Sequence, residues 1–233
     1  MLNLKMAMLA GISVLTLTTT TESAFAQVAS KAESNNHIIF EAGNSITDPV
    51  DPTDPGNPNP PNPVDPTDPE NPGTGNEGPL SIDYVSNIEF GTNKISSKAI
   101  VYNAKNENPF VQVTDNRGTG AGWTLTAKAT AFQSKDGSKV LKGAELSFKN
   151  GTLKTLPDNI SEAPMNQDVT FVNSDAQVVM TAKENTGRGT WINVYDDTLN
   201  NNQKVQLKVL PGTADVDTDY TAKIDWELTD APM

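Results

Sequence analysis

Asp219-Tyr220-Thr221-Ala222-Lys223-Ile224-Asp225-Trp226-Glu227-Leu228-Thr229-Asp230-Ala231-Pro232 alternates from Tyr220 to Thr229 between two kinds of residue. Tyr220, Ala222, Ile224, Trp226 and Leu228 fall on one side; Thr221, Lys223, Asp225, Glu227 and Thr229 fall on the other. A period of two predicts a strand with one buried and one wet face. A helix of 3.6 residues per turn would scatter the same apolar residues around its whole circumference. Gly122-Trp123-Thr124-Leu125-Thr126-Ala127 repeats the pattern earlier in the chain, again with Trp and Leu two apart.

Between and before these two stretches, residues 80–233 read as strand after strand. Ten are expected: 81–90, 98–103, 110–114, 122–133, 144–149, 169–172, 177–184, 190–195, 204–210 and 220–228. Turn signals separate them at Asn116-Arg117-Gly118, Asp136-Gly137, Asn150-Gly151, Asn185-Thr186-Gly187 and Pro211-Gly212. No window carries a long amphipathic helical pattern. The expected fold is all-β, a single sandwich or barrel-like domain following a disordered Pro/Asp-rich linker.

The rest of the chain divides by composition. Lys5, an apolar run from Met6 to Leu17 and Ala24-Phe25-Ala26 have the layout of a signal peptide over residues 1–26, cleaved to leave Gln27 first. Residues 27–47 are polar without sustained period and hold the lone histidine, His37. Residues 48–79 carry 11 of the 16 prolines, and Pro49-Val50-Asp51-Pro52-Thr53-Asp54-Pro55 recurs at Pro63 to Pro69. Such spacing favours extended polyproline II, so this stretch reads as a spacer.

Charge and residue type exclude several functions. The net charge is −12, but residues 48–79 have seven acids and no Lys or Arg, whereas residues 80–233 balance 19 acids against 15 bases. Nothing here offers the clustered basic surface that nucleic acid requires. The absence of cysteine excludes thiol catalysis and Cys-ligated metals. No Ser-His-Asp set is available to the β region, since His37 lies before the linker. Leu210-Pro211-Gly212-Thr213-Ala214 approaches a sortase signal, but acidic residues rather than an apolar tail follow it. Asp215, Asp217 and Asp219 begin like a calcium loop, yet Tyr220 stands where Gly is needed and Trp226 where Glu is needed. The expectation is a non-enzyme with no catalytic residues, cofactor or metal site.

Trp123, Trp191 and Trp226 remain as the candidate functional residues, either packed in a core or exposed as platforms for sugar rings or a partner's apolar surface. Trp226 shares its side with Ile224 and Leu228, which favours the core. Trp191 shares its side with Asn193 and Tyr195, while Ile192 and Val194 point the other way, so a rim position is expected for it.

At these motifs the chain resembles the WxL-domain surface proteins of low-GC Gram-positive bacteria, specifically the small ones. Thr114-Asp115-Asn116-Arg117-Gly118-Thr119-Gly120-Ala121-Gly122-Trp123-Thr124-Leu125-Thr126-Ala127 is similar to that family's first motif, and Leu141-Lys142-Gly143-Ala144-Glu145-Leu146 to the segment after it. Tyr220 to Pro232 resembles the distal motif, with a second Trp-x-Leu and a terminal Asp-Ala-Pro. The likeness runs from about Ile82 to Pro232. It implies a secreted protein held non-covalently at the cell wall with peptidoglycan as ligand, in company with other WxL proteins and membrane-anchored companions. A protein–protein module with indirect wall attachment is the alternative. The motif residues it points to are Trp123, Leu125, Tyr220, Trp226 and Leu228; Trp191 joins them as a candidate contact. Their spacing suits a shared core as well as a contact surface, and Lys223 and Glu227 on the wet side are alternative contacts.

Overall fold

A computed structural model describes residues 28–60 and 73–232. The expected signal peptide and the second proline heptad lie outside the described residues. The chain divides between Ile39 and Phe40. Residues 28–39 have neither helix nor strand and are exposed, His37 among them.

From Phe40 onward the described residues are all-β. Among them twelve strands form: β1 (Leu80–Val85), β2 (Ile100–Ala104), β3 (Phe110–Asp115), β4 (Trp123–Ala129), β5 (Glu145–Phe148) and β6 (Thr152–Thr155), then β7 (Met165–Asn166), β8 (Val169–Phe171), β9 (Gln177–Ala182), β10 (Gly189–Val194), β11 (Asn202–Val209) and β12 (Ile224–Thr229). They make three four-stranded sheets with orders β1-β3-β10-β6, β2-β11-β5-β8 and β12-β4-β9-β7, every pairing antiparallel. All ten expected strands are present, their ends moved inward in places, as at β1, β4 and β12, and outward by a residue or two in others, as at β2, β3 and β11. The two extra strands, β6 and β7, are short and polar (Thr-Leu-Lys-Thr and Met-Asn), so neither carries a hydrophobic period to read.

One core joins the three sheets. Val111 and Val113 of the first sheet, Leu146, Phe171 and Leu207 of the second, and Leu125, Val179 and Met180 of the third belong to a single buried cluster. Burial of this apolar surface, at roughly 25 cal/mol per Å², is the main stabilising term in a chain without disulfides.

The first sheet is covered on both faces. Inside it meets the shared core; outside it carries a second cluster of Tyr84, Phe110, Ile192 and Val194, against which Val50 packs. Tyr84 and Phe110 stack with ring centroids 4.4 Å apart. Residues 48–57, part of the stretch expected to be a spacer, therefore form a strap over this face. The Val50 N–H donates to Gln112 Oε1 at 2.8 Å, Gln112 Nε2 donates to the Asp48 carbonyl at 3.0 Å, and Lys154 Nζ donates to the Pro52 carbonyl at 2.7 Å. Proline lacks only its own N–H, so a proline-rich segment can still bind through its carbonyls and through the N–H groups of intervening residues.

Beneath the strap lies a buried polar network. Asp83 accepts from Ser81 Oγ at 2.5 Å, Gln112 Nε2 at 3.0 Å and Thr114 Oγ1 at 2.6 Å. Burial raises the Asp83 carboxyl above its ordinary value of 3.8, against the opposing pull of those three donors.

Candidate functional site

The two Trp-x-Leu strands lie side by side. β12 pairs antiparallel with β4 so that Leu228 stands opposite Leu125 and Trp226 opposite Ala127. The residues flanking the motifs are tied as well: Thr124 Oγ1 donates to the Ala231 carbonyl at 3.0 Å. The terminal Asp-Ala-Pro is thus fastened to the start of the first motif.

Trp123 is fully buried, and its indole N–H donates to the Gly187 carbonyl at 3.0 Å. Trp191 is 5 % exposed and donates to the neighbouring Arg188 carbonyl at 2.9 Å. One turn, Asn185 to Arg188, therefore satisfies both indoles. Gly187 sits there at φ +67°, where a Cβ would come 2.5 Å from the Ala182 Cβ and 3.0 Å from Trp123 Nε1. Glycine is required on both counts. The same turn is held to the first motif by the Asn185 N–H, which donates to the Gly120 carbonyl at 2.8 Å.

The rim position expected for Trp191 is corrected by this burial. The alternation itself holds: Ile192 and Val194 face away from Trp191. They face the strap, however, and not solvent. Asn193, on the Trp191 side, is buried with its needs met by Tyr195 Oη at 2.9 Å and Asn166 Nδ2 at 2.9 Å. Polar neighbours marked a satisfied interior rather than a rim.

Leu125 is fully buried, whereas Ile224, Trp226 and Leu228 are partly buried and packed on the same core. Trp226 is the most exposed of the three tryptophans. Tyr220 stands outside the β4–β12 ladder. Its hydroxyl accepts from the Asp215 N–H at 3.0 Å and holds the acidic turn that precedes the strand.

Arg117 is the charged residue of the site that residue pattern alone did not single out. Its Nε and Nη2 reach Asp115 Oδ1 and Oδ2 at 2.9 and 2.8 Å, and Nη2 also donates to the Gly122 carbonyl at 2.7 Å. The Asp115 side chain is almost wholly buried. Such a two-pronged pair neutralises a buried carboxylate and fixes the loop leading into Trp123. Arg117 Nη1 lies 3.4 Å from the Asp230 carbonyl, reaching the distal motif as well. An Asp-x-Arg followed by glycines was the available signal.

The opposite row of the paired strands is open beyond the buried Thr124. Lys128, Asp225, Glu227 and Thr229 are exposed and Thr126 is half-buried beside them. Lys128 and Asp225 form a solvent-exposed pair at 4.0 Å. This row presents hydroxyl, carboxylate and ammonium groups from paired strands, a surface able to hydrogen-bond a polar polymer. Lys223, just before β12, is exposed too.

A family model described as the WxL domain, surface cell wall-binding, matches residues 27–232. The match takes in the strap as well as the sheets and begins well before Ile82. No curated protein and no solved structure matches the chain.

Proposed function

We propose that this chain, which belongs to the WxL family of surface, cell wall-binding domains, attaches to the wall directly, with peptidoglycan as its ligand. The family match carries the wall; the strand pairing supports a particular face. Trp123, Leu125 and Trp191 are spent on the interior, so they serve binding by holding the fold. The wet row of Thr126, Lys128, Asp225, Glu227 and Thr229 is the contact surface in this reading, through hydrogen bonds to sugar hydroxyls and stem-peptide amides. Export by cleavage before Gln27 belongs to the same proposal, supported by a family match that starts at residue 27.

Co-sedimentation of the purified protein with protein-free wall sacculi tests this. The wild type is expected in the pellet, and Glu227→Gln combined with Thr229→Ala to remain in the supernatant with an unchanged melting temperature. A wild type that stays soluble with sacculi alone rejects direct attachment.

One observation favours a second reading. β12 is an edge strand whose Trp226 and Leu228 are only partly covered. An unpaired edge beside partly exposed apolar groups suits strand addition by a surface partner, such as another WxL protein or a membrane-anchored companion. That reading predicts wall retention only when the partner is present.

A further inference from the structure

The strap occupies a built seat, and the chain carries two versions of the segment that fills it. Aligned over ten residues, Asp48 to Asn57 and Asn62 to Asn71 differ only at the first position, Asp48 against Asn62, and the ninth, Gly56 against Glu70. The first difference is silent, because Asp48 contributes its carbonyl to Gln112. The second is not. A Cβ on Gly56 would stand 2.7 Å from Cγ of Pro157, a ring atom with little freedom to yield. The seat thus discriminates between two nearly identical segments by one residue.

Seat and segment are complementary in detail. Val50 enters the apolar cluster of Tyr84, Phe110, Ile192 and Val194. Gln112 takes both the Val50 N–H and the Asp48 carbonyl, a two-point grip on the strap backbone. The segment is preshaped as well: Asp51 accepts from the Thr53 N–H at 2.8 Å and the Thr53 hydroxyl at 2.7 Å, and Asp54 accepts from the Gly56 N–H at 3.1 Å. A peptide held in its bound form by its own side chains loses little entropy on docking.

Filling the seat from within one chain works against composition. Residues 58–72 include seven prolines. They join Asn57, whose side chain lies 3.4 Å from Asp51 Oδ2, to Gly73, where a Cβ would lie 3.1 Å from Pro49. The composition of residues 58–72 favours an extended rod, while the residues on either side of them, Asn57 and Gly73, both lie against the strap. Extended, fifteen such residues reach on the order of 45 Å, enough to span to a neighbouring molecule.

We propose that the outer face of the β1-β3-β10-β6 sheet is a binding site for an extended Pro-Val-Asp-Pro-Thr-Asp-Pro-Gly segment, and that a second copy of this chain supplies that segment by exchange of straps. The contacts are the same whether the strap arrives from its own chain or from another, so exchange changes only the connection. The proposal stands on the seat and is independent of wall binding.

The test uses the full chain carrying Val50→Asp, with a dye on Thr53→Cys in the cysteine-free background. Dye anisotropy is expected to fall as the strap leaves, with the melt retained. A fluorescent Asp48–Asn57 peptide should then bind this variant at least tenfold more tightly than the wild type, whose seat is filled. The Asn62–Asn71 peptide should bind at least tenfold more weakly than the first, and replacing its Glu by Gly should restore affinity. Exchange is read by mixing a Pro52→Cys chain with a Lys154→Cys chain and adding a short bis-maleimide. Heterodimer is expected, suppressed by Val50→Asp in the donor or by excess first peptide. Four results each overturn the proposal: a dye that does not loosen, a folded variant that ignores the peptide, equal binding of both peptides, or a heterodimer yield indifferent to Val50.

Discussion

β4 and β12 carry the same Trp-x-Leu motif, point it into the same core and pair with each other, yet they are not equivalent. β4 lies between β12 and β9, and its Trp123 and Leu125 are wholly buried. β12 is the edge, and its Trp226 and Leu228 are half-covered. Sheet position, not motif, sets how much each tryptophan stabilises. The first motif is a structural centre, gathering the Asn185–Arg188 turn, the Arg117 loop and the C-terminal residues. The second closes over it and leaves an edge and a wet row available for recognition.

This asymmetry breaks first at Trp123→Ala. Losing a fully buried indole and orphaning the Gly187 carbonyl should cost about 3–5 kcal/mol, or fold itself, in chemical denaturation. Should Trp123→Ala melt like the wild type, the central role assigned to β4 would be lost. Arg117→Ala comes next, at about 2–4 kcal/mol, because it strips the buried Asp115 carboxylate of its counter-ion and leaves it only the residue-117 N–H at 3.1 Å. Its denaturation curve should improve when Asp115→Asn is added, a coupling that two independent surface changes would not show. Trp226→Ala should cost less, about 1–2 kcal/mol, as expected of a half-covered edge residue. If it equals Trp123→Ala, the two strands are energetically alike.

The smallest effect concerns a site remote from both strands and serves as a control. Asp83 has a raised carboxyl in the folded protein, so the folded state holds its proton more tightly than the unfolded state. Its contribution to stability is therefore lost as pH rises from 3.8 through the raised value, and regained on acidification. Asp83→Asn keeps an acceptor for Gln112 and Thr114 without the charge. Its stability relative to wild type should rise between pH 4 and neutrality, seen by urea denaturation at a series of pH values. A flat difference would deny that the buried charge is uncompensated.

Much of this architecture was legible in the residues. The period of two located every long strand, because each has one face in a common core and that constraint repeats at every second side chain. β6 and β7 left no such trace, being short, polar and fixed by pairing alone. Trp191 shows the limit from the other side: its alternation was correct, but which face met water depended on a strap arriving from residues 48–57. A Pro/Asp-rich composition says that a segment is extended and soluble; it does not say whether a grooved sheet elsewhere in the chain fits it.

By itself, then, the sequence determined ten of the strands, the shared side of Ile224, Trp226 and Leu228, and membership in a wall-binding family. These follow from local alternation and from motifs whose residues are adjacent in the chain. Tertiary structure alone decided that the two motifs are neighbouring strands, that Arg117 bridges them, that one turn satisfies two tryptophans, and that the strap covers the first sheet. Each of these depends on pairing between residues many positions apart, where register and edge are chosen by the packing of the whole core and not by any single stretch of chain.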